Sequence, residues 1–267
     1  MNDPKIIELM KMYSFYNDII DNDKSKILEE FNKKLHHENR FFNDNHPLFT
    51  HIKNKFEYHT ITLNQDEWLF RARKVEDNDY DNFTKEGYFE EDFYGYNKKD
   101  SFTPPMKKIS ANRANSDGIP CLYTAKDVKT AIAEVRPFLG DTISVANILP
   151  VHDLKLFDLS FDVNIHDINI ANIPPSDIWF LGIVFAFSIP YEKTSKNEYL
   201  LTQCISEYIR LSGFDGIQYS SSLNNNGINI ALFNCKNEDD GGKYDICEPI
   251  SSHCCTVKSI DYCFEFY

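Results

Sequence analysis

Three residues within positions 111–137 combine side chains that could bind and cleave an anionic substrate. Arg113 lies in a polar loop rich in hydrogen-bond donors, Tyr123 lies in the apolar run CLYTA, and Glu134 lies on a helix predicted over about 127–136. Helical periodicity puts Glu134 about 60° outside the apolar stripe of Val128, Ala131, Ile132 and Val135, where a carboxylate can line a cleft. Taken alone, each residue also fits an ordinary surface or core role.

A second group of basic residues precedes this block. In the strand-like run LFRAR, alternation directs Arg71 and Arg73 to one face and Phe70 and Ala72 to the other. Two guanidinium groups on one face are costly to bury unpaired, so we expect them to meet solvent, an acid or an anionic ligand. Four of the six arginines lie between positions 71 and 136, in a chain of net charge −13. This spacing predicts a local basic pocket for phosphate or carboxylate.

The third candidate segment is GFDGIQYSSSLNNNGINIALF, residues 213–233. It predicts two strands joined by an asparagine- and glycine-rich turn. Ser220, Ser221 and Ser222 would lie at the end of the first strand, and Asn229 on the second. Serines in turns are common, so a purely structural role stays open.

Helical spacing and strand alternation together predict an α+β fold. Helices are expected over about 4–16, 24–36, 47–56, 127–136, 176–187 and 196–212, and residues 1–60 are interpreted as a small helical accessory region before a domain spanning 61–267. A terminal strand is expected within 254–267.

The segment 76–110 shows few structural signals, and its acidic part, 76–92, holds eight acids and one lysine. That part is a solvated loop, a docking surface or a lid.

Composition excludes several classes of protein. The net charge of −13 argues against non-specific nucleic-acid binding. No stretch of 18 uncharged apolar residues predicts a membrane span, and the N-terminus lacks the pattern of a signal peptide, so a cytoplasmic protein is expected. Seven cysteines without a CxxC pair, and histidines without an HExxH motif, predict reduced thiols and no metal site.

The ordered set FRAR, NRANSDGIPCLYTAKDVKTAIAEVRP and GFDGIQYSSS with GINIALF resembles the RES family, over about residues 66–235. The resemblance implies a fold similar to ADP-ribosyltransferase toxins, with a central cleft. It implies catalytic roles for Arg113, Glu134 and Ser221, with Ser220 and Ser222 one step away. It also implies substrate contacts from Arg71, Arg73, Tyr123 and Asn229.

The resemblance further implies a function, since the RES family comprises toxins of toxin–antitoxin pairs that destroy NAD. The expected reaction is cleavage of the nicotinamide–ribose bond, by phosphorolysis or hydrolysis, with NAD as substrate, inorganic phosphate as an optional co-substrate and no cofactor. A small antitoxin is the expected partner, although the extra N-terminal helices leave self-association or regulation open. The alternatives are an ADP-ribosyltransferase that modifies a macromolecule and a non-catalytic NAD-binding or interaction module.

Overall fold

The computed structural model describes residues 26–41, 43, 45–76, 79, 92–160, 175–189 and 199–260. The helix predicted over 4–16, most of the acidic run and the chain beyond 260 lie outside these residues.

The helices of the described residues follow the predicted positions closely. The N-cap of the third helix is Asp127, whose carboxylate accepts a hydrogen bond from the Thr130 amide at 2.8 Å, and the last helix ends before Gly213, whose φ of +85° favours glycine. The α-helices are α1 (Lys26–His37), α2 (Pro47–His59), α3 (Val128–Glu134), α4 (Pro175–Ser188) and α5 (Leu200–Leu211).

The strands of the described residues confirm the α+β class. Of the terminal strand predicted within 254–267, residues 254–256 form the end of a strand that begins earlier, at Cys247, residues 257–260 are not in a strand, and the rest lies outside the described residues. The strands are β1 (Thr60–Leu63), β2 (Leu69–Lys74), β3 (Phe93–Tyr94), β4 (Cys121–Ala125), β5 (Thr142–Pro150), β6 (Leu154–Leu159), β7 (Gly216–Ser220), β8 (Ile228–Phe233) and β9 (Cys247–Thr256).

All of these strands lie in one mixed sheet with the order β1-β6-β7-β8-β4-β2-β5-β9-β3. β2 pairs with β5 along its whole length, but it pairs with β4 only at Phe70 and Ala125. β2 and β4 therefore diverge after Phe70. We call this divergence the sheet split, and it separates a half ending in β4 from a half beginning with β2.

Helices α1 and α2 share one hydrophobic core with α4, α5 and the sheet. Phe31 of α1 is fully buried, and its ring lies 5.3 Å from that of Phe49 in α2, while Phe49 stacks at 4.4 Å on Tyr208 of α5. A second core on the other side joins both sheet halves through Leu69, Leu122 and other apolar side chains. The division of the chain at residue 60 stays a prediction.

The apolar stripe predicted for α3 was partly wrong. Val128 is 41% exposed, whereas Thr130 is fully buried. The Thr130 hydroxyl donates to the Asp127 carboxylate and accepts from the side-chain amide of Asn224 at 2.7 Å, so both of its polar functions are satisfied. Ala131 packs against Ala72 of β2 as expected. The short helix therefore lies across β2 beside the sheet split. None of the helices in the described ranges combines the length and apolarity needed to cross a bilayer.

The shared core predicts that the N-terminal helices contribute directly to global stability. Phe31→Ala should lower the free energy of unfolding by about 3–5 kcal/mol, because it leaves a cavity in a packed core. Urea denaturation followed by circular dichroism and tryptophan fluorescence measures this loss. Phe41→Ala is the control, since Phe41 is 83% exposed and its removal should change stability by less than about 0.5 kcal/mol. A separate early transition seen only by circular dichroism would contradict the shared core.

Candidate functional site

A cleft of about 1030 Å³ opens at the sheet split. Its walls come from β2, β4, α3, residues 103–115 and the ends of β7 and β8, and its volume lies at the upper end of the range of small-molecule sites. Among the described residues, the wall holds six basic side chains and only two carboxylates, those of Glu76 and Glu134. This cleft is therefore the basic pocket that was expected in this acidic chain. The basic residues are Arg71, Arg73, Lys74, Lys108, Arg113 and Arg136.

Glu134 is the centre of a hydrogen-bonded group on one side of the cleft. Its Oε1 atom accepts from Ser221 Oγ at 2.7 Å and from Asn229 Nδ2 at 2.6 Å. No described residue donates to Oε2. The structure thus brings together a predicted glutamate, serine and asparagine from α3, the turn after β7, and β8.

The structure also distinguishes among the three consecutive serines. Ser221 Oγ contacts Glu134 and accepts from the Leu223 and Asn224 amides at 3.1 and 3.2 Å. This turn fixes the hydroxyl toward the carboxylate, whereas Ser220 and Ser222 line the cleft. Ser221 is therefore the serine that belongs to the Glu134 group.

Arg71 bridges the sheet split. Its Nη1 atom donates to the Tyr123 carbonyl oxygen of β4 at 3.1 Å, at a level where β2 and β4 no longer pair. Within the described residues no carboxylate forms an ion pair with this guanidinium, and its buried Nε has no hydrogen-bond partner. Burial, and secondarily the like charge of Arg73, lowers the pKa of Arg71 to about 10. At neutral pH it remains a cation that lacks a compensating anion.

Arg73 lies farther along β2 and is held from two sides. Its guanidinium carbon is 4.3 Å from the ring centroid of Tyr96, and its Nη1 atom donates to the Asp100 carbonyl oxygen. The electron-rich ring face offsets part of the repulsion between the two arginines. Tyr96 itself is fixed by the hydroxyls of Ser144, Ser101 and Ser252.

Arg113 contacts the end of a helix. Its Nη1 and Nη2 atoms each donate at 2.8 Å, to the carbonyl oxygens of Ala186 and Ile189 at the C-terminus of α4. Such carbonyls lack partners within a helix, and the negative end of the helix dipole favours a cation. Two nitrogens of the Arg113 guanidinium, for which the resemblance implied a catalytic role, are engaged here with the protein, so Arg113 ties α4 to the wall of the cleft.

Tyr123 supports the loop that carries Arg113. Its hydroxyl accepts from the Ala114 amide and donates to Asn115 Oδ1, both at 2.8 Å. Burial raises the pKa of this phenol, so it stays protonated and can donate. Tyr123 also lines the cleft.

Sequence reasoning missed Lys74 and Phe138, which line the cleft, and Tyr96, which is buried and supports Arg73. Tyr96 lies in the segment 76–110, which has no periodic pattern, and contacts Arg73 only through the tertiary fold. Lys74 continues the run FRARK and could have been included with the arginines. Phe138 follows the Glu134 block and gave no signal beyond being an aromatic residue after a proline. Among the described residues no group of three or more metal-ligating side chains occurs.

The match to a family model agrees with the residue pattern. The model of the RES domain family matches residues 91–248, more than half of the chain. A search of solved structures matched the crystal structure of the M. tuberculosis MbcT-MbcA toxin-antitoxin complex, with 10% sequence identity and a TM-score of 0.41, over 77% of this chain and 92% of that chain. No curated protein matches the sequence. The chain, with its Glu134 group on one side of the sheet split, belongs to the RES family.

Proposed function

We propose that the protein cleaves the bond between nicotinamide and ribose in NAD and so depletes NAD as a toxin or defence effector. The observation that supports this most is the Glu134 carboxylate, held by Ser221 and Asn229 in a cleft whose wall also holds six basic side chains. A fixed anion facing a basic pocket suits a substrate that develops positive charge at a sugar carbon and carries a pyrophosphate.

In the proposed reaction the bond from ribose C1 to the nicotinamide nitrogen breaks, and its electron pair leaves with nicotinamide, which becomes neutral. The sugar develops oxocarbenium character, and Glu134 stabilises it electrostatically. Because both side-chain donors contact Oε1, Oε2 can accept from a ribose hydroxyl. Ser221 and Asn229 orient the carboxylate.

Arg71 and Arg73 are assigned to the pyrophosphate. A partly buried guanidinium without a counter-ion is unfavourable, and an anionic ligand at the sheet split would supply the missing charge and hydrogen-bond acceptors. Arg113 supports the wall through α4, and Tyr123 supports it through the loop 112–115. Both side chains also line the cleft, where they can contact the substrate.

The attacking group is water or inorganic phosphate. Water gives ADP-ribose and releases a proton, whereas a phosphate oxygen gives ADP-ribose phosphate and needs a second anion site in the cleft. Lys108 and Arg136 are cations of the wall that could form it.

Incubating the purified protein with NAD, with and without phosphate, and identifying products by mass tests the function. Free nicotinamide with ADP-ribose indicates hydrolysis. A phosphate-dependent product that is heavier than ADP-ribose by one phosphoryl group, about 80 mass units, indicates phosphorolysis. With labelled NAD and cell extract, a labelled macromolecule would favour an ADP-ribosyltransferase. Bound NAD without turnover would favour a non-catalytic module.

Glu134→Gln should lower kcat for NAD by at least about 100-fold, because it keeps the shape of the side chain and removes the fixed anion. Nicotinamide release measures the rate. Glu76→Gln is the matched control, since it neutralises the other carboxylate of the cleft wall and should change kcat by less than about 3-fold. Near-normal turnover by Glu134→Gln would remove this carboxylate from the mechanism.

Arg71→Met should separate stability from activity. Removing a partly buried cation that has no ion-pair partner among the described residues should leave the free energy of unfolding unchanged or raise it by about 1–2 kcal/mol. The same change should raise the KM for NAD by at least about 10-fold, because the pyrophosphate loses a forked partner. Thermal unfolding and steady-state kinetics measure the two effects. A variant that is less stable and binds NAD normally would contradict the assignment.

The proposed partner is a protein antitoxin, and the other open use of the N-terminal region is self-association. Mass measurement of the purified chain in solution, alone and after co-expression with the neighbouring reading frame, distinguishes the two. A monomer that forms a stable heteromeric complex supports an antitoxin.

A further inference from the structure

Phe138 presents an aromatic ring on the wall of the cleft although nothing in the core requires it there. The side chain is 69% exposed and lines the cleft. Its loop is held by hydrogen bonds: the Phe138 amide donates to Asp141 Oδ2 at 2.7 Å, the Asp141 amide donates back to the Phe138 carbonyl oxygen at 3.1 Å, and the Gly140 amide donates to the Val257 carbonyl oxygen at 3.0 Å. A hydrogen-bonded turn therefore holds the Phe138 ring at the wall of the cleft.

A cation accompanies the ring. Lys74 Nζ lies 4.7 Å from the centroid of Phe138 and 2.9 Å from Asp141 Oδ2. The hydrogen bond from the Phe138 amide, and then the Lys74 ammonium, lower the pKa of Asp141, so its carboxylate stays charged at neutral pH and keeps the turn and the lysine together. Lys74 also lines the cleft.

The position of this pair relative to Glu134 is informative. Glu134 is hydrogen-bonded to Asn229 and Ser221, which belong to the sheet half that ends in β4. Lys74 is the last residue of β2, in the other half, and Arg71 bridges the split between the halves. Glu134 and Phe138 line the same cleft as Arg71 and Arg73, so one ligand in this cleft can contact the carboxylate, an arginine and the ring.

We propose that Phe138 and Lys74 form the subsite for the adenosine end of NAD, with adenine stacked on the Phe138 ring and Lys74 beside the adenosine phosphate. This inference rests on the proposed function. NAD carries nicotinamide riboside, pyrophosphate and adenosine, and the wall of this one cleft offers a carboxylate, two arginines and an aromatic–lysine pair. A flat apolar ring is the surface on which a purine stacks, and it needs no base-specific hydrogen bonds.

Nicotinamide mononucleotide separates this subsite from the reaction centre, because it keeps the scissile bond and lacks adenosine. Phe138→Ala should raise the KM for NAD by about 10-fold, as expected for loss of one base–aromatic stack. The kcat/KM for nicotinamide mononucleotide should change by less than about 2-fold. Phe138→Trp should restore the KM for NAD.

Leu139→Ala is the matched control. Leu139 is 66% exposed on the same turn, and it does not belong to the described wall of the cleft. It should leave the kinetics of both substrates unchanged. Equal losses with the two substrates in Phe138→Ala, or an equal effect of Leu139→Ala, would overturn the subsite and indicate a general role of the turn. Unchanged KM values in Phe138→Ala would overturn it as well.

A failure of the proposed function has a different signature. In that case the wild-type protein would release nicotinamide from neither substrate. The subsite can still be tested through binding of ADP, measured by calorimetry with the wild-type protein and Phe138→Ala. An approximately 10-fold weaker Kd in the variant supports the subsite, and equal Kd values overturn it.

Discussion

The separation of β2 from β4, with an arginine side chain crossing the gap, is the constraint on which the site depends. After Phe70 and Ala125 the strands no longer pair, and Arg71 replaces a backbone hydrogen bond by donating to the Tyr123 carbonyl oxygen. A continuous sheet would leave no room for a ligand at this level. The second hydrophobic core holds the two halves together, so the sheet can open locally without coming apart. The Arg71 guanidinium at this gap is partly buried and has no ion-pair partner among the described residues, so an anion bound in the cleft would supply the missing charge.

The side chains around that gap fall into two groups: those that line the cleft and those that support its walls. Glu134 is oriented by Ser221 and Asn229, and Arg73 is oriented by Tyr96. In both cases a charged group is fixed before a ligand arrives, which reduces the reorganisation needed during reaction.

The RES-type arginine and tyrosine of residues 111–125 illustrate the supporting role. Arg113 joins the C-terminal carbonyls of α4 to the loop beside β4, and the Tyr123 hydroxyl fixes the same loop through Ala114 and Asn115. A motif residue can therefore be required for the site by building its wall. Helices α1 and α2 pack into the hydrophobic core that they share with α4 and α5, where they contribute to the stability of the scaffold.

Most of the helices and strands, and the group around Glu134, could be predicted from the amino-acid sequence alone. Strand alternation, the Asp127 cap and Gly213 are local signals, and the RES-like motifs connected Glu134, a serine and Asn229 although these lie almost 100 residues apart in the chain. Local signals could not place the late strand, because the pairing of β9 with β5 is set by long-range register. They also could not show that Arg113 binds helix carbonyls, that Tyr96 lies under Arg73, or that Ser221 rather than its neighbours contacts Glu134. Those contacts join segments that share no sequence periodicity. They form only in the tertiary structure, in which the divergence of β2 from β4 opens the cleft.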